Sequence, residues 1–417
     1  MQARTSLRTI VWIWLGWAVV MLAFQQMVVM RLHPRRPDGV LSWTANETTA
    51  GSQNGKPYLL DPFLNEHVSW DSEFYLSVAT VGYDDPAVRA IPTGFDWINQ
   101  PSCVAGTEVD CHSLNYAFFP LYSSATRLVA LPINLLGLTP IARSTLAAVI
   151  VSLLGSLGAM AGLYFLSRSS LGEDGGVRAA FYLLIFPSGF FLAQVYAEGL
   201  YIGLIFGALA FLAARKWPVA ALLSALAVWT RPGGALLLLP MAMVWLMDKP
   251  WREGWRPCLL RGLAALTPAV AYGLWAATHL ADDFFLVEKL WFGRGLLSLG
   301  PSLEAWGSAA QSMFQASPST MVYYLLEFGA VVLAVVACLL LWKERPELSA
   351  FGLAMIVFAF TTGSAQGMVR YVLPAVPIFW VLARWGRNPI FDRVWSLASI
   401  LLMGMEATLF SFDFWVA

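Results

Sequence analysis

Apolar runs separated by short basic stretches make up most of this chain, with one long polar segment near its start. The runs fall at about 10–30, 143–167, 179–194, 199–214, 218–230, 234–247, 259–279, 322–342, 349–364, 371–383 and 393–410. Several approach the roughly 20 residues that an α-helix needs to cross the hydrocarbon layer of a bilayer. The pattern predicts an all-α polytopic membrane protein of about eleven transmembrane helices, forming a single domain over residues 1–417. A twelfth stretch, from Phe118-Phe-Pro-Leu-Tyr122 to Leu138, is long enough to cross, but Arg127, Pro132 and Asn134 interrupt it. We read it as an interfacial helix.

Charge supports that reading. The first run follows Arg4 and Arg8, is too long for a signal-peptide core, and lacks a clear small-residue cleavage site. With its start inside and 118–138 not crossing, the connections on the inner side carry most of the clustered basic residues. These are Arg168 and Arg178, Arg215 and Lys216, then Lys249, Arg252, Arg256 and Arg261. Further on they are Lys343 and Arg345, then Arg384, Arg387 and Arg393. Short basic loops stay in the cytoplasm. The polar segment 31–142 is then a large exoplasmic first loop with interfacial helices, and the C-terminus is also outside.

Composition agrees. The chain is 58% hydrophobic and 12% charged, with 19 Trp and 26 Phe, whereas a soluble domain carries roughly 25% charged residues. Lys+Arg and Asp+Glu balance at 26 each, so no net charge draws the chain to nucleic acid. Cys258 and Cys338 lie in apolar runs as packed thiols. Cys103 and Cys111 share the exoplasmic loop, and a disulfide between them is expected.

Four polar positions need explaining. Asp71 sits among Trp70, Phe74 and Tyr75, spaced as on a helix lying in the membrane interface. Glu198, Arg231 and Arg370 occupy connections that the topology also places outside. A charge at the edge of hydrocarbon is costly and marks a candidate site. Each has an ordinary alternative: a solvated loop acid for Asp71, snorkelling for the arginines, simple pairing with an arginine for Glu198. Together, two acids and two arginines suit proton transfer beside an anionic group, because the guanidinium fork binds phosphate bidentately. The segment Asp282–Arg294 mixes acids, Lys289, Arg294, Trp291 and Phe292, as a sugar or phosphate contact or an amphipathic surface helix would. No metal-ligand set, phosphate-binding glycine loop or nucleophile elbow is present in the sequence.

The run Trp70-Asp-Ser-x-x-Tyr-x-x-x-Ala-x-x-Gly-Tyr83, followed by Phe118-Phe-Pro-Leu-Tyr122, resembles the PIG-V-type mannosyltransferases of the GT-C group. Phe186-Pro-Ser-x-Phe-Phe-x-x-x-Val-Tyr-x-Glu198, Thr230-Arg-Pro-x-Gly234 and Arg370-Tyr-x-x-Pro374 match in the same order, so the resemblance spans about 66–384. It implies an inverting transfer of mannose from a polyprenyl- or dolichyl-phosphate donor to a glycolipid or glycan hydroxyl on the exoplasmic face. Asp71 would be the catalytic base, Arg231 and Arg370 would bind the donor phosphate, and Glu198, Trp70, Tyr122, His67 and Trp291 would orient substrate. No cofactor or metal is required.

Two departures bear on the acceptor. Ser69 stands where family members often carry Arg, which leaves that charge to His67 or another group, and Ser123 replaces a common Pro after Tyr122. Short tails without a retention signal point to a bacterial plasma membrane rather than the endoplasmic reticulum. The rival classes are a transporter or flippase of a lipid-linked or anionic solute, and a non-catalytic membrane scaffold.

Overall fold

A computed structural model describes residues 2–61, 63–99, 103–106 and 110–416, and the side chain of Arg4 lies outside the described residues. Almost every regular element is helical, as the runs predict, and the chain is an integral membrane protein. Five helices are each long and apolar enough to cross a bilayer: Thr5–Arg31, Pro140–Leu184, Trp255–Ala276, Pro318–Leu341 and Pro389–Phe410. A sixth candidate span is the bent pair Pro187–Ala193 and Glu198–Ala213, which turns through 100°. Trp217–Thr230, Pro346–Phe360 and Val376–Trp385 are shorter apolar helices. Backbone irregularity at membrane depth is tolerated where protein, not lipid, surrounds it. Pro187–Ala193 fits that rule, since all seven of its residues are buried.

The outward faces of the long helices are apolar and exposed, as with Val19 and Val20, Leu259 and Leu260, or Leu397 and Leu401. Exposed apolar surface of this extent marks a face that lipid covers. Inside, small residues let helices touch backbone to backbone. A Cβ added to Gly199 would overlap the Ser152 carbonyl, and one added to Gly155 would overlap the Gly199 backbone. This small-residue spacing, Gly199-x-x-x-Gly203 against Gly155, is the usual device for close packing in membranes. It seats Glu198, the first residue of its helix, deep in the protein.

The runs at 143–167 and 179–194 remain two helices within Pro140–Leu184, separated by a kink at Gly172, with φ 78°. Two expectations change in detail. The run 371–383 is preceded by a separate turn, Met368–Tyr371, before Val376–Trp385. An additional amphipathic helix, Leu299–Gln315, lies in a segment where no run is expected.

The first loop is folded, not a tether. Helix Ser72–Thr80 packs on Pro120–Ile133, a helix of 14 residues within the stretch 118–138. Strands Ala90–Pro92 and Cys111–Ser113 pair antiparallel, and Cys103 and Cys111 form a disulfide. This hairpin docks on helix His279–Leu290 through His112 Nδ1 to Asp283 Oδ1, 2.6 Å, and Trp97 against Trp291, 4.5 Å between centroids.

Candidate active site

Asp71 begins where the chain turns sharply. Trp70 takes a left-handed φ of 51°, and its ring lies edge-on to Trp43 and Trp415. The Ser69 amide donates to Ser72 Oγ at 3.0 Å, and Ser69 Oγ donates to Asp413 at 2.7 Å. These contacts fix the N-terminus of helix Ser72–Thr80, with Asp71 as its N-cap. The partial positive charge of that helix end favours an anion there. The Asp71 side chain does not cap the helix. It turns instead toward Arg370.

Arg370 Nη1 donates to Asp71 Oδ2 at 2.9 Å, while its Nε lies 3.4 Å from Glu198 Oε1. Arg231 Nη2 stands 2.6 Å from the same Glu198 oxygen. The contacts to Glu198 are close ion pairs without hydrogen-bond alignment, since neither its oxygens nor Arg370 Nε has a hydrogen bond. The structure thus joins Asp71, Arg370, Glu198 and Arg231, four residues distant in sequence, into one chain of charges. Side-chain exposure separates their chemistry: Glu198 keeps 2% and Arg370 4%, whereas Arg231 keeps 17% and Asp71 23%. Arg370 is sealed in among carboxylates and the rings of Phe191, Tyr196 and Tyr371. Asp71 Oδ1 has no hydrogen bond among the described residues and is free to meet a ligand.

A third arginine belongs here. Arg294 Nη1 donates to the Tyr371 hydroxyl at 2.8 Å, and Arg370 Nη2 donates to the same oxygen at 3.1 Å. Arg231 lies over the Tyr371 ring as well, 5.9 Å from its centroid. Unlike the other two, Arg294 has no carboxylate within ion-pair distance among the described residues. The sequence leaves its segment between a sugar or phosphate contact and an amphipathic surface helix. In fact helix His279–Leu290 ends before it, and the loop through Gly293 bonds back from Gly295 to the Thr362 carbonyl at 2.9 Å. Glu288 is close enough to interact with Arg294, Asp71 and Arg231, and burial pushes its carboxyl up to about 7. Tyr196, whose hydroxyl accepts from the Asp71 amide at 3.2 Å, was also missed.

Several expected substrate contacts are placed elsewhere. His67 is fully buried, bonded through Nδ1 to Gln194 at 3.0 Å, and burial pushes its imidazole down to about 4. It is neutral near pH 7 and cannot supply the charge missing at Ser69. Tyr122 is likewise enclosed, its hydroxyl donating to the Ala148 carbonyl at 3.0 Å and paired with Ser152. Trp291 stacks on Trp97 and lies under Arg89, 4.2 Å from its ring centroid, so it anchors the disulfide hairpin. Trp70 shapes the turn that aims Asp71. Among the described residues no group of three His, Cys, Asp or Glu gathers to hold a metal ion.

No protein-family model matches the sequence, and no curated protein matches it. Among solved structures, the chain is similar to the apo oligosaccharyltransferase of Archaeoglobus fulgidus. That match has 13% identity and a TM-score of 0.45, covering 96% of this chain and 56% of the other. It is also similar to ArnT from Cupriavidus metallidurans bound to undecaprenyl phosphate, with 14% identity and a TM-score of 0.43, covering 95% and 76%. This chain spans a little over half the length of the archaeal oligosaccharyltransferase.

Proposed function

We propose that this protein is an inverting membrane glycosyltransferase, moving mannose from a polyprenyl-phosphate donor to a hydroxyl of a glycolipid or glycan. The observation that carries the reading is the charge chain itself: Asp71, partly open, held at 2.9 Å by a sealed Arg370, with Arg231 and Arg294 offering guanidinium groups beside it. Asp71 acts as general base. It takes the acceptor's proton as that oxygen attacks the anomeric carbon, and the bond to the phosphate oxygen breaks with its electron pair leaving on the phosphate. Inversion follows from the single displacement.

The burial pattern divides the arginines differently from the motif alone. Arg370 is engaged by Asp71, Glu198 and Tyr371, so it orients the base. Arg231 and Arg294 have the open positions that a phosphate needs, and both stabilise charge developing on the leaving group. Glu198 holds Arg231 and Arg370 in place. Exposed Leu296, Leu297, Leu299 and Leu303, just beyond Arg294, supply an apolar surface for the prenyl tail.

Asp71→Asn tests the reading. It retains an oxygen for Arg370 but no longer accepts a proton, and loss of a positioned base costs on the order of 100- to 10,000-fold in rate. Sugar release from polyprenyl-phosphate mannose by detergent-purified protein is the assay, with membrane lipid extract as acceptor. Because no sealed membrane is present, turnover there also excludes a transporter. A folded Asp71→Asn protein with near-normal turnover rejects the proposal.

A further inference from the structure

Glu327 lies in the interior of helix Pro318–Leu341, one of the five helices long enough to cross a bilayer, and it is completely buried. An acid at such a depth is costly and calls for a role. Its partners point to one. One carboxylate oxygen accepts from the Gly367 amide at 2.7 Å, the other from the Val369 amide at 3.0 Å. The Met368 amide and the Tyr323 hydroxyl lie close enough to interact with it.

Those amides open the single turn Met368–Tyr371. The first N–H groups of any helical turn have no acceptor within it, and this one has no side-chain cap of its own. Gly367 enters it in the left-handed region, at φ 80°, and leaves the amides turned inward. Glu327 satisfies them from another helix. The third residue of the turn is Arg370, whose guanidinium binds Asp71. A second connection reaches the same place: Trp415 donates from Nε1 to the Tyr323 hydroxyl at 3.0 Å, and its ring packs against Trp70, 5.1 Å away, the residue before Asp71. Both sides of the Asp71–Arg370 contact are therefore anchored on Tyr323 and its neighbours.

We propose that Glu327 is a positioning residue, which acts through the Gly367–Val369 amides and Arg370 to hold Asp71 in its working orientation. It touches no substrate. This inference rests on the assignment of Asp71 as base, and the test separates the two.

The full chain, purified in detergent, is assayed for release of polyprenyl phosphate from polyprenyl-phosphate mannose, with membrane lipid extract as acceptor. In Glu327→Gln an amide NH2 replaces one acceptor and faces the donors of the turn. The expected result is a kcat lower by about 10- to 100-fold, the scale of a misplacement near 1 Å, with donor KM within about threefold. In an Arg370→Lys background the same change adds at most about twofold, because residues acting through one another are not additive. A role in folding alone would lower thermal stability without this selective, Arg370-dependent loss of kcat.

Should Glu327→Gln fail to fold, Tyr323→Phe removes the hydroxyl beside Glu327, which accepts from Trp415, without altering charge. It is expected to lower kcat several-fold, again only when Arg370 is present. Wild-type kcat in a folded Glu327→Gln or Tyr323→Phe protein overturns the proposal, as do losses that multiply with that of Arg370→Lys. If Asp71→Asn is inactive in the same assay while both variants are normal, only the positioning role falls. If Asp71→Asn is active, the enzymatic reading falls first.

Discussion

Replacing Arg294 by Gln tests how charge is divided among the three arginines. Arg294 donates to Tyr371 and has no carboxylate at ion-pair distance among the described residues, so its removal breaks no direct ion pair, although buried Glu288 loses a favourable charge nearby. The stability cost is that of one hydrogen bond from a charged donor, about 1.5–3 kcal/mol. Its contribution to donor binding is of similar size: a charge-assisted hydrogen bond to phosphate is worth roughly 1.5–3 kcal/mol. That corresponds to a donor KM raised by about 10- to 150-fold. The same factor should appear in the inhibition constant of free polyprenyl phosphate, which reports phosphate binding without the chemical step. Arg370→Gln behaves differently. It leaves Asp71 and the nearly sealed Glu198 short of a partner, and breaking a buried pair costs roughly 3–5 kcal/mol. Its damage falls on stability and kcat. The assay is donor saturation in detergent, with product inhibition and thermal unfolding measured on the same preparations. A folded Arg294→Gln protein whose donor KM and product inhibition stay within about twofold of wild type would falsify the division of roles.

Two other changes follow from the same geometry. Glu288, raised to about 7 by burial, is neutral at lower pH and adds a negative charge near Arg294 above it; donor KM should rise through pH 7 by about fivefold, on the order of 1 kcal/mol of Coulomb energy. Glu288→Gln should flatten that rise, and a wild-type KM independent of pH between 6 and 8 would contradict it. Gly199→Ala places a methyl group against the Ser152 carbonyl, so the helix carrying Glu198 must move. Overpacking of this kind costs about 1–3 kcal/mol, read as a lowered Tm in detergent together with lost activity, and an unchanged Tm would show that the contact is slack.

Asp71, Glu198, Arg231 and Arg370 were legible because each ends or interrupts an apolar run, where an ionised group needs a reason to be. The alternation of basic loops then placed all four on one side. Which arginine is consumed by carboxylates was not legible, since pairing depends on how the turn Met368–Tyr371 approaches helix Ser72–Thr80. Arg294 was visible only as one of two readings: Asp282–Lys289 has the mixed charge of a surface helix, and the helix stops just short of the arginine. Glu327 was hidden by averaging, one acid within a strongly apolar run of 24 residues. His67 and Tyr122 show the opposite failure. They lie in or beside the matching motifs, yet packing encloses them, so a motif position identifies a constrained residue without saying whether it faces substrate or core. The spacing Gly199-x-x-x-Gly203 was open to inspection all along, and its meaning depends only on packing in lipid.

The proposed reaction gains further support from counting charge at each stage. Arg231, Arg294 and Arg370 against Asp71 and Glu198 leave one net positive charge while Glu288 is neutral. A phosphodiester donor carries one negative charge, so its arrival neutralises the pocket. During transfer the leaving phosphate gains a second negative charge, and Asp71 loses its own by accepting the proton. The total is unchanged. Arg370 contributes by sitting on Asp71 rather than on the phosphate: it holds the carboxylate aimed before the donor arrives, so little reorganisation is needed as charge shifts. Once Asp71 passes its proton to water through its open side, the pocket holds one negative charge in excess. The lipid phosphate is then repelled by the same carboxylate that helped to form it, which couples product release to recovery of the base.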